Sequence, residues 1–237
     1  YVLRLPSEFD NEILKNGKLE ATIQGQSGTD IPVEIDSYIP IVTENLCRGC
    51  GDCVTVCDYN AIQLIDKGDE VKVSQIDPEL CRGCGTCVAL CPSSAIQPGR
   101  FTSDWLDFKL QAIDPNKKSV VVFSCSWNGA DFEQFSKVKI KDTNLIFIQT
   151  MCTGRIESSF ILKALEKDTA GVLVVGCAAD ECHYEFGAKR FAETYAKVQQ
   201  IAYMLGYKKD RLEYATVSGK NTERFVEIVN DYARNIK

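Results

Sequence analysis

The chain has 237 residues, 45% of them hydrophobic, and a formal net charge of -6. This length and apolar content suit one large or two ordinary globular domains. The negative charge argues against nucleic acid or an anionic membrane surface as the main partner, because both would repel the protein. No apolar run approaches the ~18 residues of a membrane span, and no signal sequence opens the chain. We therefore expect a cytoplasmic protein, or one peripheral to a membrane complex.

Residues 1–43 carry no chemistry that we identify. Ser7 is placed to cap a short helix that Gly17 would stop, and residues 18–24 and 31–35 have the composition of strands around a Gly-Ser turn. The segment is too small for a core of its own. We expect it to pack on the following domain or to be the remnant of a larger one, and Tyr1 in place of an initiator methionine fits a fragment or a processed chain.

Two copies of one cysteine pattern follow, with the spacing C-x2-C-x2-C-x3-C. The first cysteine run (residues 47–57) contains Cys47, Cys50, Cys53 and Cys57. The second cysteine run (residues 81–91) contains Cys81, Cys84, Cys87 and Cys91. Extended to sixteen residues, the two copies agree at ten positions with an offset of 34, which indicates an internal duplication.

This spacing favours iron-sulfur clusters. Four thiolates wrapped around one point are the donors that such clusters take, and glycines at 49, 51, 83 and 85 would let the backbone approach the inorganic sulfides. Disulfides need an oxidising compartment, and zinc usually takes two separated C-x-x-C pairs rather than four cysteines in eleven residues. Residues 61–65 and 71–73, on either side of a Lys-Gly-Asp turn, read as the small hairpin beside the clusters.

Residues 44–97 resemble a bacterial-type ferredoxin with two 4Fe-4S clusters. In such ferredoxins the fourth cysteine of each run ligates the other cluster. The resemblance therefore implies one cluster on Cys47, Cys50, Cys53 and Cys91, and a second on Cys81, Cys84, Cys87 and Cys57. Pro92 follows the second run as that pattern expects, but Asp58 replaces the proline after the first run.

The pattern changes after the ferredoxin. Residues 98–116 read as a helical linker, capped by Thr102 or Ser103 and ended by Asp114-Pro115. From residue 117 to 237, apolar runs alternate with amphipathic segments, and a helix stopped by Gly206 and another capped by Asn221 are expected. The predicted strands are residues 120–123, 145–148, 172–175 and, more weakly, 212–217. Short apolar strands joined by long crossovers predict an α/β doubly wound, flavodoxin-like domain with a parallel sheet.

The last four cysteines lie where these strands end. They are Cys125, Cys152, Cys177 and Cys182. The carboxyl ends of parallel strands form the ligand-binding edge of such a sheet, and four thiolates there can hold a 2Fe-2S cluster or a zinc ion. A Rieske centre is excluded because it needs two histidines, and His183 is the only histidine.

Three segments carry a family resemblance. FSCSWNGAD, CTGRIESSFILKAL and GVLVVGCAADECHYEFG resemble the delta subunit of the methyl-viologen-reducing hydrogenase, over roughly residues 118–236. The preceding ferredoxin resembles the carboxyl-terminal part of the A-type subunit of heterodisulfide reductase. The resemblance implies a 2Fe-2S cluster on the four later cysteines. The family usually has a further cysteine one residue after the tryptophan, where this chain has Asn128.

Several neighbouring residues also have ordinary structural roles as alternatives. His183 is expected to orient the site by hydrogen bonding rather than to ligate. Arg155 is expected to screen cluster charge or dock a partner, with an ordinary surface role as the alternative. Trp127 is the type of residue that usually fills a core, with a role in electron passage as the alternative. Arg48 and Arg82 are more often solvated, although a cation beside an anionic cluster raises its potential.

The resemblance implies an electron-transfer subunit of an anaerobic oxidoreductase complex, with no substrate site of its own. It would relay electrons between a hydrogenase or formate dehydrogenase module and a heterodisulfide-reductase-type flavoprotein, with FAD on that partner or on a domain outside this sequence. The alternative is an iron-sulfur flavoprotein enzyme with FMN in the α/β domain, but the loop after its first strand holds Cys125 and Trp127 instead of small phosphate-binding residues. A zinc-stapled interaction module would leave the ferredoxin without an electron acceptor.

Overall fold

The computed structural model describes most of the chain. The described residues are 14–15, 18–24, 30–36, 38–68, 70–99, 101–111, 113–114, 116–128, 135, 138–219 and 221–236. Contacts divide the chain into two compact units. The first unit comprises Tyr1–Gly83 and Pro92–Arg100, and the second comprises Cys84–Cys91 and Phe101–Lys237. Within the described ranges, no helix is long and apolar enough to cross a membrane.

Among its described residues, the first unit contains small antiparallel sheets, one short α-helix and the 3-10 turn Glu44–Leu46. Its strands are β1 (Leu14–Lys15), β2 (Lys18–Gln24), β3 (Asp30–Asp36), β4 (Ile41–Val42), β5 (Ile62–Asp66), β6 (Lys72–Ile76) and β7 (Ile96–Gln97), and its helix is α1 (Asp52–Val56). The sheets have the orders β1-β2-β3, β4-β7 and β5-β6. The expected strands at 18–24 and 31–35 and the hairpin are confirmed. The helix expected before Gly17 is wrong at its end, where Leu14–Lys15 pairs with β2, and the rest of that prediction lies outside the described residues.

The second unit is built around a parallel sheet. Its helices are α2 (Thr86–Leu90), α3 (Ser103–Gln111), α4 (Ser158–Glu166), α5 (Gly187–Met204) and α6 (Thr222–Asn235). Its strands are β8 (Ser119–Cys125), β9 (Asn144–Thr150), β10 (Gly171–Cys177) and β11 (Leu212–Val217). They lie in the order β11-β10-β8-β9, and every neighbouring pair is parallel. The four predicted strands and the parallel sheet are confirmed.

Alternate residues of β8 lie in two different hydrophobic cores, which explains why the strand is apolar throughout. Val121 and Phe123 belong to a core that also contains residues of α3, α4 and α5. Val120 and Val122 belong to a second core, with residues of α6. Side chains of successive strand residues point to opposite faces, so the sheet is covered on both sides.

The predicted caps also form. Thr102 Oγ1 accepts a hydrogen bond from the Trp105 amide (3.2 Å), and Asn221 Oδ1 accepts one from the Arg224 amide (2.9 Å). These bonds satisfy amides that have no partner within their own helix. The domain limits at 43/44, 97/98 and 116/117 stay a prediction.

Candidate metal centres

Ser74 on β6 serves the first cysteine run. Its hydroxyl lies 3.0 Å from Cys53 Sγ and 3.7 Å from Cys47 Sγ, and its amide donates to Cys47 Sγ at 3.4 Å. Burial raises the pKa of the Cys53 thiol against the opposing Ser74 bond. For Cys47, burial acts in the same direction, but hydrogen bonds from Gly49 and Ser74 outweigh it and lower the pKa. Sequence reasoning missed Ser74, because a lone serine in a strand carries no signal of a sulfur partner.

Two glycines of the runs are required by neighbouring chain segments. Gly49 has φ 62°, and a Cβ there would lie 2.6 Å from the Lys72 carbonyl oxygen. Gly83 has φ 69°, and a Cβ there would lie 2.7 Å from Tyr38 Cβ. Any side chain would have to displace backbone or a fixed Cβ, so both positions need glycine for conformation and for space.

The second run is divided between the two compact units. Cys81 lies in the first unit, whereas Cys84, Cys87 and Cys91 lie in the second. Within the second unit, Cys84 packs against a small apolar core, here called the sulfur core. The sulfur core is formed by Met151, Cys152, Cys182, Tyr184 and Ala188. The exchange of fourth ligands between the two runs stays a prediction.

The four later cysteines meet at one edge of the parallel sheet. Cys125 ends β8, Cys152 follows β9, Cys177 ends β10, and Cys182 follows the short turn Ala179–Glu181. All four are buried. Their sulfurs form a continuous hydrogen-bonded chain in the order Cys177, Cys125, Cys152 and Cys182, with Cys177 Sγ and Cys125 Sγ 3.6 Å apart. The structure therefore brings the predicted residues together.

Backbone amides surround these sulfurs. The amide of Trp127 donates to Cys125 Sγ (3.4 Å), that of Gly154 to Cys152 Sγ (3.5 Å) and that of Ala188 to Cys182 Sγ (3.4 Å). Ala188 lies in the first turn of α5, where the helix dipole favours negative charge. These donors stabilise thiolates, which are the form that binds metal.

Gly187, the first residue of α5, gives the sulfurs their space. A Cβ at this position would collide with Cys152 Sγ and would lie 3.8 Å from Cys182 Sγ. Sequence reasoning missed this requirement, because nothing near Gly187 indicates which sulfur it faces.

The direction of the pKa shift alternates from one cysteine to the next along the sulfur chain. Cys125 accepts hydrogen bonds from Cys152 and Cys177, which lowers its pKa to about 4. Cys182 accepts from Cys152, which lowers its pKa to about 6. The donors Cys152 and Cys177 have raised pKa values for the same reason. Hydrogen bonding within the set thus lowers the pKa of Cys125 and Cys182, which favours the thiolate form that binds metal.

A pocket of about 420 Å³ opens beside Cys177. It is lined by Trp127, Asn128, Cys177, Glu181, His183, Val217 and Gly219. Asn128 is 1% exposed and donates to the Val175 carbonyl at 2.9 Å. The His183 ring stacks on Trp127 with centroids 3.5 Å apart, while its backbone amide donates to Cys177. His183 therefore contacts the site through its main chain.

The donor set fits an iron-sulfur group with complete cysteine ligation. The site contains four buried sulfurs and the backbone amides that donate to them, and a Cβ at Gly187 would fill its space. The buried Thr153 Oγ1 has no hydrogen-bond partner in the part of the chain that the structure describes. Among those residues, no three His, Cys, Asp or Glu side chains are arranged to hold a single metal ion.

Comparison with known proteins agrees with this arrangement. Residues 120–237 match the profile of the family described as methyl-viologen-reducing hydrogenase, delta subunit, and residues 46–95 match a 4Fe-4S dicluster domain. The D-type iron-sulfur subunit of the vhc F420-non-reducing hydrogenase of Methanococcus voltae is 33% identical over 121 residues, which are 50% of this chain and 83% of that protein. The chain belongs to the methyl-viologen-reducing hydrogenase delta subunit family.

This member of the delta subunit family also carries the ferredoxin that its sequence predicts. The A-type subunit of ferredoxin:CoB-CoM heterodisulfide reductase from Methanosarcina mazei is 33% identical over 241 residues, covering 98% of this chain and 29% of that protein. Its counterpart in the ferredoxin/F420H2-dependent CoB-CoM heterodisulfide reductase of Methanosarcina acetivorans is 32% identical over the same coverage. The chain thus spans about 29% of the length of these two relatives. The resemblance to both protein types is confirmed.

Proposed function

We propose that this chain is an electron relay with three iron-sulfur clusters. It is an iron-sulfur electron-transfer subunit of the hydrogenase and heterodisulfide reductase type. Within that class, we assign it the passage of electrons between a hydrogenase or formate dehydrogenase module and a flavoprotein of heterodisulfide reductase type. FAD would reside on that flavoprotein.

The observation that carries the proposal is the contact of Cys84 with the sulfur core. Cys84 is a predicted 4Fe-4S ligand, and the sulfur core contains Cys152 and Cys182, two predicted ligands of the third centre. Electron tunnelling weakens steeply with distance, so ligands of successive centres have to lie close together. This contact supports a direct transfer step between the ferredoxin and the α/β domain.

The ligand assignment follows the cysteine spacing. Two 4Fe-4S clusters would be held with exchanged fourth ligands, Cys91 on the first cluster and Cys57 on the second. Cys125, Cys152, Cys177 and Cys182 would hold one 2Fe-2S cluster, and twelve cysteines leave no thiol over. When bound, such clusters accept and release single electrons. The backbone amides at Trp127, Gly154 and Ala188 would hold the sulfurs and stabilise added negative charge.

The strand order supports a flavodoxin-like domain. Numbered along the chain, β8 to β11 lie in the order 4-3-1-2, which read backwards is the flavodoxin order 2-1-3-4. The order reverses between β8 and β10, and their last residues, Cys125 and Cys177, are in hydrogen-bond contact. We infer that the third centre occupies the crevice where flavodoxin-like sheets bind ligands.

The test is an assay of iron, acid-labile sulfide, zinc and flavin on the anaerobically purified full chain. We expect about ten irons and about ten sulfides per chain, no zinc and no flavin. A Cys152→Ala variant should lose about two irons and the 2Fe-2S signal in electron paramagnetic resonance (EPR) spectra, because Cys152 is central in the sulfur chain.

The matched control is Ser126→Ala, which alters the same edge of the sheet without removing a sulfur. It should retain all its iron. About eight irons with one tightly held zinc would refute the third redox centre, and a bound flavin would favour the flavoprotein alternative.

A further inference from the structure

Arg155 is the largest fully buried side chain among the described residues. It ends the short turn Thr153–Arg155 and is 0% exposed. One terminal nitrogen donates to Glu157 Oε1 at 2.9 Å, and the other donates to Ser103 Oγ at 3.0 Å. A buried guanidinium stays protonated even though desolvation lowers its pKa. A full positive charge is therefore held inside the second unit.

The third nitrogen of this guanidinium, Nε, differs from the two terminal nitrogens. In the part of the chain that the structure describes, the buried Nε of Arg155 has no hydrogen-bond partner. An unsatisfied buried donor costs about 1–3 kcal/mol, so proteins seldom leave one. The missing acceptor is thus expected to be a group other than these protein atoms, such as an anionic sulfur of a bound cluster.

The stem of Arg155 lies against the second cysteine run. A Cβ at Gly85 would be 3.0 Å from Arg155 Cδ and 3.1 Å from its Cβ. Gly85, with φ 78°, separates Cys84 from the helix that carries Cys87. Sequence position predicts Arg155 beside the later cysteines, but the structure packs its side chain on the ferredoxin motif.

The duplication supplies an internal comparison. Gly51 is the first-run counterpart of Gly85 and has a similar φ of 83°. A Cβ at Gly51 would meet only Leu64 Cδ1, at 3.6 Å, among the described atoms within 4 Å. One run thus faces a leucine at this point and the other a buried cation.

We propose that Arg155 is a positioning residue that raises the reduction potential of the 4Fe-4S cluster bound by Cys84 and Cys87, a role that rests on the proposed function. Reduction adds negative charge to a cluster, and a nearby fixed cation in a poorly polarisable interior stabilises that charge. Glu157 offsets part of the effect, but its side chain is 25% exposed and is better screened. Electrons would then rest preferentially on the cluster that adjoins the sulfur core.

The experiment is an anaerobic redox titration of the full chain, followed by low-temperature EPR. The signal of the second-run cluster is assigned by its loss in Cys84→Ala. In Arg155→Met, we expect the reduced-to-oxidised ratio of this cluster at a fixed potential to fall about tenfold, equivalent to about 59 mV for one electron. Arg155→Lys should retain most of the potential, because it keeps the charge.

Two further variants separate an electrostatic role from a structural one. Glu157→Gln should shift the same cluster in the opposite direction, because it leaves the cation uncompensated. Arg82→Met removes a charge from an exposed residue of the same run and should shift the ratio much less, because solvent screens it. If Arg155→Met loses iron, Arg155→Lys and Glu157→Gln still decide the question.

Unchanged potentials in Arg155→Met or in Glu157→Gln, with full iron content, would overturn the role of Arg155. Shifts of the same sign in both variants would also overturn it, because they would reflect a general disturbance of the fold. Absence of any 4Fe-4S signal in the unsubstituted chain would refute the proposed function itself.

Discussion

The first and second cysteine runs have the same spacing but different neighbours. In the first run, the Ser74 hydroxyl lies 3.0 Å from Cys53 Sγ, whereas in the second the Thr86 hydroxyl lies 3.4 Å from Cys84 Sγ. Leu64 faces the first run where Arg155 faces the second. The motif sets the ligand spacing, and residues far from it in sequence set the surroundings. A duplicated motif can therefore hold two clusters of the same type at different potentials.

The largest effect we predict tests whether each cysteine run holds its own cluster or shares its fourth cysteine with the other cluster. A Cys57→Ala variant should lose the second-run cluster, with about four irons, because the fourth cysteine of each run is predicted to serve the other cluster. EPR spectra of Cys84→Ala and Cys50→Ala provide the two references. A Cys57→Ala spectrum that matched Cys50→Ala instead of Cys84→Ala would show that each run holds its own cluster.

A smaller effect is expected from removing the hydroxyl group that contacts a cysteine sulfur in each run. Ser74→Ala should lower the potential of the first-run cluster, because it removes a short hydrogen bond to a ligand sulfur worth about 1 kcal/mol, or about fivefold in the reduced-to-oxidised ratio. The matched variant Thr86→Val should shift the second-run cluster less, since its contact is longer. The same redox titration measures both, and a larger shift in Thr86→Val would contradict the ranking.

The smallest effect comes from giving the first run a cation. Leu64→Arg should raise the potential of the first-run cluster by no more than about 0.5 kcal/mol, because residue 64 is only half-buried and its charge would be screened. The redox titration measures this shift as well. A shift as large as that expected at Arg155 would mean that burial of the cation is unimportant.

Sequence reasoning recovered the features that depend on local pattern. The apolar runs that form β8 and β10 have no polar alternation because both faces are covered, and Cys125 and Cys177 can be placed at strand ends by counting. The caps at Thr102 and Asn221 are equally readable, because capping depends on residues only three positions away.

The features that it missed depend on tertiary contact. Ser74 meets Cys47 and Cys53 only because the β5–β6 hairpin folds back on the run, and Gly187 is needed only because Cys152 Sγ occupies its Cβ position. The helix prediction fails at the short strand Leu14–Lys15, because two residues are too few for periodicity to distinguish helix from strand. Arg155 is close to Cys152 in sequence, whereas its packing against Gly85 is visible only in the folded structure.

Helix α2 belongs to the compact unit that contains the parallel sheet, and this affects which segments of the protein unfold together. Chain segments that share a core tend to exchange their amide protons together. Thr86 packs at the Cβ position of Gly154, and Cys84 packs on the sulfur core. Amide protection in α2 should therefore follow that of β8 and β10 in native-state hydrogen exchange, whereas α1 should follow the β5–β6 hairpin. The two halves of a duplicated motif would then belong to separate cooperative folding units.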